Sequence, residues 1–357
     1  MSGDFADTRR DFLMGAEDLL RRAAAAERRA RTAIAAAAQD FSVPDSLRLE
    51  EATRNGMTAL LAQWIGAAER QLADFATPGA GGTFPLLCAA GLLNDWALTE
   101  ALIGQVRQDQ LAKALPHQAP RDPAQPSLLS RFVDHPAATI AEAARDLLYA
   151  ASCSEDPEAG GRRAPRHLQA RLLWWVAAAM REQAGSRADI AFDEALCTAV
   201  RAALVVLDAS SRGAVEPVAM RFAAAVGASL HPVPYLLLEA LRDRRLVLFL
   251  AILAHAARID YADARALALD REPDRLLLAL HAVGVERDGM AQIGFLLCDA
   301  DRHRDVAVLA DRLDAVVALD RADAATVLAA LRLDPAYHAA RAAIRRGAMT
   351  GWVEGAR

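Results

Sequence analysis

Apolar and polar positions alternate along this chain with the period of helices. The clearest stretch is LVLFLAILAHAA at 246 to 257, framed by Arg242, Asp243, Arg244 and Arg245 on one side and by Arg258 and Asp260 on the other. A membrane-crossing helix needs about 20 apolar residues, so this run is too short to span. It predicts a helix buried by its neighbours, with His255 as a structural residue near its end. A strand is the minor alternative, since the run is short but poor in β-branched residues.

The same period recurs almost throughout. Residues 9–40 form a long pattern with Phe12, Ala16, Leu19, Ala23 and Ala26 on one side and arginines on the other. A second helix is expected from Ser42, where Ser42 and Asp45 have capping-box spacing and Pro44 suits a first turn. Its stripe is Met57, Leu60, Leu61, Trp64, Ala68, Leu72 and Phe75, and the two helices are expected to form an antiparallel hairpin. Helices follow around 84–93, 95–114, 127–133 and 136–151. Beyond them the period returns at 165–184, 189–209, 214–228, 232–242, 245–257, 260–269, 272–283, 286–299, 303–319, 321–332 and 335–346.

Two breaks organise the pattern. PHQAPRDPAQP carries four prolines in eleven residues, which makes 115–126 an extended connection. SCSEDPEAGGRRAP, polar and rich in Gly and Pro, is the expected division between an N-terminal helical region, 1–151, and a C-terminal helical-repeat region, 165–357. Each apolar stripe is too narrow to be stable alone. Stacking each helix pair on the next buries such stripes, so the expected architecture is all-α: antiparallel helix pairs in a HEAT-like α-solenoid with a period of roughly 40 residues. No strict repeat stands out; the best internal echo is DHPAATIAEAARDLL against LHPVPYLLLEALRDRRL.

Composition agrees with helices. Of the residues, 54% are hydrophobic but only 5% aromatic, and alanine supplies much of the apolar fraction. Lys113 is the single lysine among 41 lysines and arginines, which excludes ordinary P-loop and protein-kinase sites because both need a placed lysine. A net charge of −5 argues against a dedicated nucleic-acid binder. Cys88, Cys153, Cys197 and Cys298 are widely spaced without a CxxC, as expected of reduced thiols in a cytoplasmic chain. TRRDFLM at 8–14 has the look of a twin-arginine signal, but Glu17, Asp18, Arg21 and Arg22 follow where an apolar stretch is needed, so it reads as the start of an amphipathic helix.

At LLSRFVDHPAATIAEAARDLL and in the run from Arg244 to Ile293 the chain resembles the bacterial family known as domain of unknown function 2336. The resemblance implies a helical, HEAT-like protein of the bacterial cytoplasm. It brings no assigned activity and no catalytic residues.

Candidate chemistry is sparse. In CDADRHRD, Cys298 and His303 are the only close Cys and His, without the second pair a zinc site needs. GxSxG, HExxH and GxGxxG are all missing, and no cofactor is implied. Arg162 and Arg166 form RxxxR, and Asp208, Ser210 and Gly213 form DxSxxG; together these resemble the cyclic-di-GMP signature of the PilZ family. Guanidinium groups pair with phosphate and stack on guanine, so Arg162, Arg163, Arg166, Asp208 and Ser210 are candidates for a small anionic ligand. The text between the motifs is helical, whereas PilZ is a β-barrel. Trp174, and the basic first helix with Arg21, Arg22 and Arg28, are candidates for a protein partner. The expected function is a non-catalytic interaction or regulatory protein with a protein partner in bacterial signalling. The alternatives are a sensor of an anionic small molecule and, less favoured, an enzyme whose site is assembled between repeats.

Overall fold

The computed structural model describes residues 49–76, 82–117, 126–155, 162–210, 214–227 and 232–334, with single positions between 19 and 29 and between 337 and 344. Among the described residues every regular element is a helix and there is no strand. None of those helices is long and apolar enough to cross a membrane. The chain separates into two compact units, one formed by 36–110 and 120–226, the other by 1–35, 111–119 and 227–357.

The first unit opens with α1 (Glu51–Gln71), the short α2 (Phe84–Ala89) and α3 (Trp96–Ala114), whose last residues belong to the other unit. It continues with α4 (Leu128–Val133), α5 (Ala138–Glu155), α6 (Arg166–Ala184), α7 (Ile190–Ser210) and α8 (Val215–Gly227). The stripe Leu60, Leu61, Trp64 and Ile65 of α1 meets Leu168, Leu172, Leu173 and Val176 of α6, with Leu98 and Leu102 of α3 and Leu196 and Val200 of α7 closing the core. Phe132 of α4 meets Phe222 of α8 edge to face, 5.4 Å between ring centroids, the arrangement favoured by the aromatic quadrupole.

The expected partner of α1 in an N-terminal hairpin, 9–40, lies largely outside the described residues. Among the described elements the main partner of α1 is α6, far along the sequence. Leu49 and Glu50 precede the helix in a non-helical conformation, so α1 begins at Glu51. The capping box at Ser42 and Asp45, and most of the Pro-rich connection, lie outside the described residues. In sequence α1 and α6 lie on opposite sides of 152–164, yet they share one core.

The second unit contains α9 (Val233–Arg242), α10 (Leu246–Ala257), α11 (Tyr261–Leu269), α12 (Asp274–Ala282), α13 (Arg287–Ala300), α14 (Val306–Val317) and α15 (Arg321–Leu331). The apolar run at 246–257 is α10, with Leu248, Phe249, Leu250 and Leu253 buried. Three tight turns repeat one device. The N–H groups of Arg245, Ile259 and Val285 reach back to the carbonyls of Ala240, Ala254 and Leu280 at 2.8, 3.0 and 3.0 Å. The residue before each, Arg244, Arg258 and Gly284, is left-handed at φ 57°, 56° and 88°. This is a Schellman ending, which satisfies the last carbonyls and turns the chain sharply into the next helix.

Three helix starts of this unit are matched too. Asp260, Glu286 and Asp320 stand at the N-caps of α11, α13 and α15. Four residues further on in each, Ala264, Met290 and Ala324 are fully buried. Asp305 opens α14 by accepting from the Ala307 N–H at 2.7 Å, which places the helix start later than the periodicity at 303 suggested. Among these elements α12 is buried nearly all round, including its charged first residues Asp274 and Arg275, and packs on α10, α11, α13, α14 and α15.

Candidate functional site

The anionic-ligand candidates start from Arg162. Its Nη2 lies 2.7 Å from Asp109 Oδ1, in an ion pair about three-quarters shielded, and its carbonyl accepts from Trp64 Nε1 at 2.7 Å. Arg162 therefore fastens the segment entering α6 to α1 and α3. Arg163 and Arg166 are exposed, Arg166 in the first turn of α6. The five residues between α6 and α7 make these helices an antiparallel pair, which returns Asp208 and Ser210 to the end where Arg166 starts. The side chains of Asp208 and Ser210, and all of Gly213, lie outside the described residues. Topology brings the two motifs to one end, on helices and not on a β-barrel.

One turn into α6, His167, Arg171 and Trp175 follow at a spacing of four on one face. Arg171 pairs with Asp95, whose Oδ1 also accepts from the Leu98 N–H at 2.9 Å, and its guanidinium lies 5.1 Å from the centre of the Trp175 ring. Desolvation first, and the Arg171 charge second, push the His167 imidazole below its ordinary range, against the pull of Asp95. Trp174 stands on the adjacent flank and is 39% exposed. Trp175 is half-buried against the core, so the two tryptophans divide the roles of packing and surface between them.

The pair Cys298 and His303 does not form a cluster. Among the described residues no group of three His, Cys, Asp or Glu side chains is placed to hold a metal. His303 is exposed after the end of α13, its N–H donating to Asp301 Oδ1 at 3.0 Å. Burial pushes the Cys298 thiol up, opposed by the Arg304 charge, which suppresses the thiolate needed for a nucleophile. Arg304 is the more unusual neighbour: its side chain is 5% exposed and donates to the Ala268 carbonyl beside Asp301.

Of the basic first helix, Arg21 and Arg22 are described and Arg28 is not. On the same helix Leu19, Ala23 and Ala26 are buried. Arg29 reaches Glu272 of the α11–α12 turn at 3.9 Å. Arg22 acts electrostatically on Asp274, whose carboxyl is pushed up mainly by burial, with Arg312 and Arg22 opposing.

A feature not foreseen is an open groove of about 490 Å³ along α9, α13 and the start of α14. Leu238, Phe295, Leu296 and Val306 supply its apolar surface, with Phe295 52% and Val306 44% exposed. Arg242 crosses it, donating to Glu239 Oε1 at 3.0 Å and to Gln292 Oε1 at 2.7 Å, which ties α9 to α13. Its apolar residues come from helices about fifty positions apart. The one available sequence signal was Phe295, an aromatic on the outward side of a helix in a chain with few aromatics.

Helical hairpins closed by repeated capping turns make the described residues an all-α protein. The chain belongs to the bacterial family described as uncharacterised protein conserved in bacteria, domain of unknown function 2336, whose profile matches residues 122–332. No curated protein and no solved structure matches it.

Proposed function

We propose that this protein is a non-catalytic, HEAT-like helical-repeat protein that binds a protein partner, the reading under which it would serve bacterial signalling. The observation that carries this reading is the groove of α9, α13 and α14, where Phe295 and Val306 keep apolar surface in water beside polar groups that can orient a partner. The repeated hairpin turns of the second unit support the repeat architecture, since stacked pairs create grooves between equivalent helices. A photocross-linking residue at Phe295 in the native cell should give one discrete adduct, lost when Val306→Asp is added. The same probe at Tyr149, an exposed residue of the first unit, should give none. Adducts of equal pattern at both sites, or none at Phe295, remove this reading.

A second reading, a sensor of an anionic small molecule, has one observation in its favour: the α6–α7 pair returns the 208–210 segment to the arginines at 162–166. Calorimetry with cyclic-di-GMP tests it. Heat that disappears in Arg166→Ala supports a sensor, and no heat at high ligand concentration dismisses it.

A further inference from the structure

We infer that the outward face of α7 is a self-association surface, on which a second copy of this chain lays the same helix antiparallel across a two-fold axis. On its inward side Leu196 and Val200 enter the core of the first unit. On the opposite side Ala191, Ala195, Thr198, Ala202 and Val205 follow at alternating intervals of four and three, and all five are exposed. No charge interrupts that seam. Val205 and Val206 are 69% and 64% exposed, and Ile190 at the start of the helix 73%, and branched apolar surface left in water along one helix marks a contact face. The one polar side chain of the seam is satisfied within its own helix, Thr198 Oγ1 donating to the Glu194 carbonyl at 2.8 Å.

The flanking charges say what covers the seam. Glu194 and Arg201 are seven residues apart and so lie on the same flank, about 10 Å from each other along the axis and too far to pair. Both are exposed, and neither makes an ion pair or a side-chain hydrogen bond among the described residues. Their neighbour Asp193, by contrast, is paired with Arg181. Two such helices packed antiparallel bring like flanks together, so Glu194 of each copy faces Arg201 of the other. The axis then lies midway between 194 and 201, which is also midway between 190 and 205. One register therefore joins both pairs of opposite charges and sets Ile190 of each copy level with Val205 of the other.

Other arrangements are rejected. Sliding one copy by seven residues either way sets Glu194 against Glu194 or Arg201 against Arg201, and parallel pairing sets both charges against the flank of Ala199 and Val206. The helices overlap over about 20 Å, less than a standard interface of about 1,600 Å² requires, so the dimer is reversible, with a Kd between about 1 μM and 1 mM. This face belongs to the first unit and is independent of the groove at Phe295.

Sedimentation of the full chain from about 1 μM to 1 mM tests the seam, and the parent should pass from monomer to dimer across that range. Ala195→Arg, at an exposed position, should keep the chain monomeric with its thermal melt little changed. Glu194→Arg and Arg201→Glu should each weaken the dimer by about tenfold, since each change makes two flanking pairs repulsive. Mixed together, those two single variants should form a heterodimer in which every flanking pair is again opposite in sign, and the double variant should dimerise like the parent. A dimer that Ala195→Arg leaves intact, or charge variants that mixing does not rescue, would overturn the inference. A chain monomeric throughout would overturn it too and leave this face to a different protein.

Discussion

Arg258 and Gly284 occupy the same position in two turns of the second unit, both left-handed, each followed by a buried residue whose N–H closes the helix behind it. A left-handed backbone costs a residue with a side chain about 1 kcal/mol or more, and glycine nothing sterically. Arg258→Gly should therefore raise the denaturation free energy by up to about 1 kcal/mol, reduced by the greater freedom of glycine in the unfolded chain. Gly284→Ala should lower it by about 1 kcal/mol. Paired urea melts read both signs.

Asp274 makes stability depend on pH in an unusual direction for an acid. Its folded-state affinity for a proton lies above the ordinary value near 3.8, chiefly through burial. The folded chain then holds more protons than the unfolded chain, so this group lowers stability as pH rises from about 3.8 through its raised value. Asp274→Asn should remove that fall and give a flatter stability profile across the window, as measured by urea melts at a series of pH values. The parent and variant profiles running parallel would contradict it.

The Arg162–Asp109 pair predicts a structural cost that is independent of ligand. Arg162→Ala should lower stability by about 1 kcal/mol, the range for a partly shielded, hydrogen-bonded pair. Asp109→Ala should cost about the same, and the double variant less than the sum. Full additivity in such a cycle would show that the two side chains do not interact.

Gly294 sits where α13 meets α14. A methyl group placed there would stand 2.7 Å from both Leu309 methyl carbons, well inside contact distance. Gly294→Ala should therefore destabilise by about 1 to 3 kcal/mol, less whatever alanine recovers as the better helix former. Combining it with Leu309→Val should cost less than the sum of the two single changes, because the shorter side chain makes room. Thermal melts of the four chains decide.

The helices were legible because their stripes are simple. The run at 246–257 needed only its length and its flanking charges, and α6 could be placed almost to the residue. Helix ends were less legible where a cap decides them, as Asp305 does for α14. The likeness of three helix starts was hidden because they keep a property and not a letter: Ala264, Met290 and Ala324 share burial, and Asp260, Glu286 and Asp320 share an acid. Phe295 alone hinted at the groove, since Leu238, Phe295 and Val306 meet only once α9 and α13 are paired. The partner of Arg162 was not legible, because sequence shows its charge and not the Asp109 beside it.

The burial of α12 on nearly every side has a consequence for the order in which the molecule is made. Its covering helices include α14 and α15, so the leucines of α12 stay uncovered until residues near 331 have left the ribosome. Leu19 and Arg29 belong to that same unit. Arg29 can meet Glu272 only after the α11–α12 turn has been made, so that contact is settled late in synthesis.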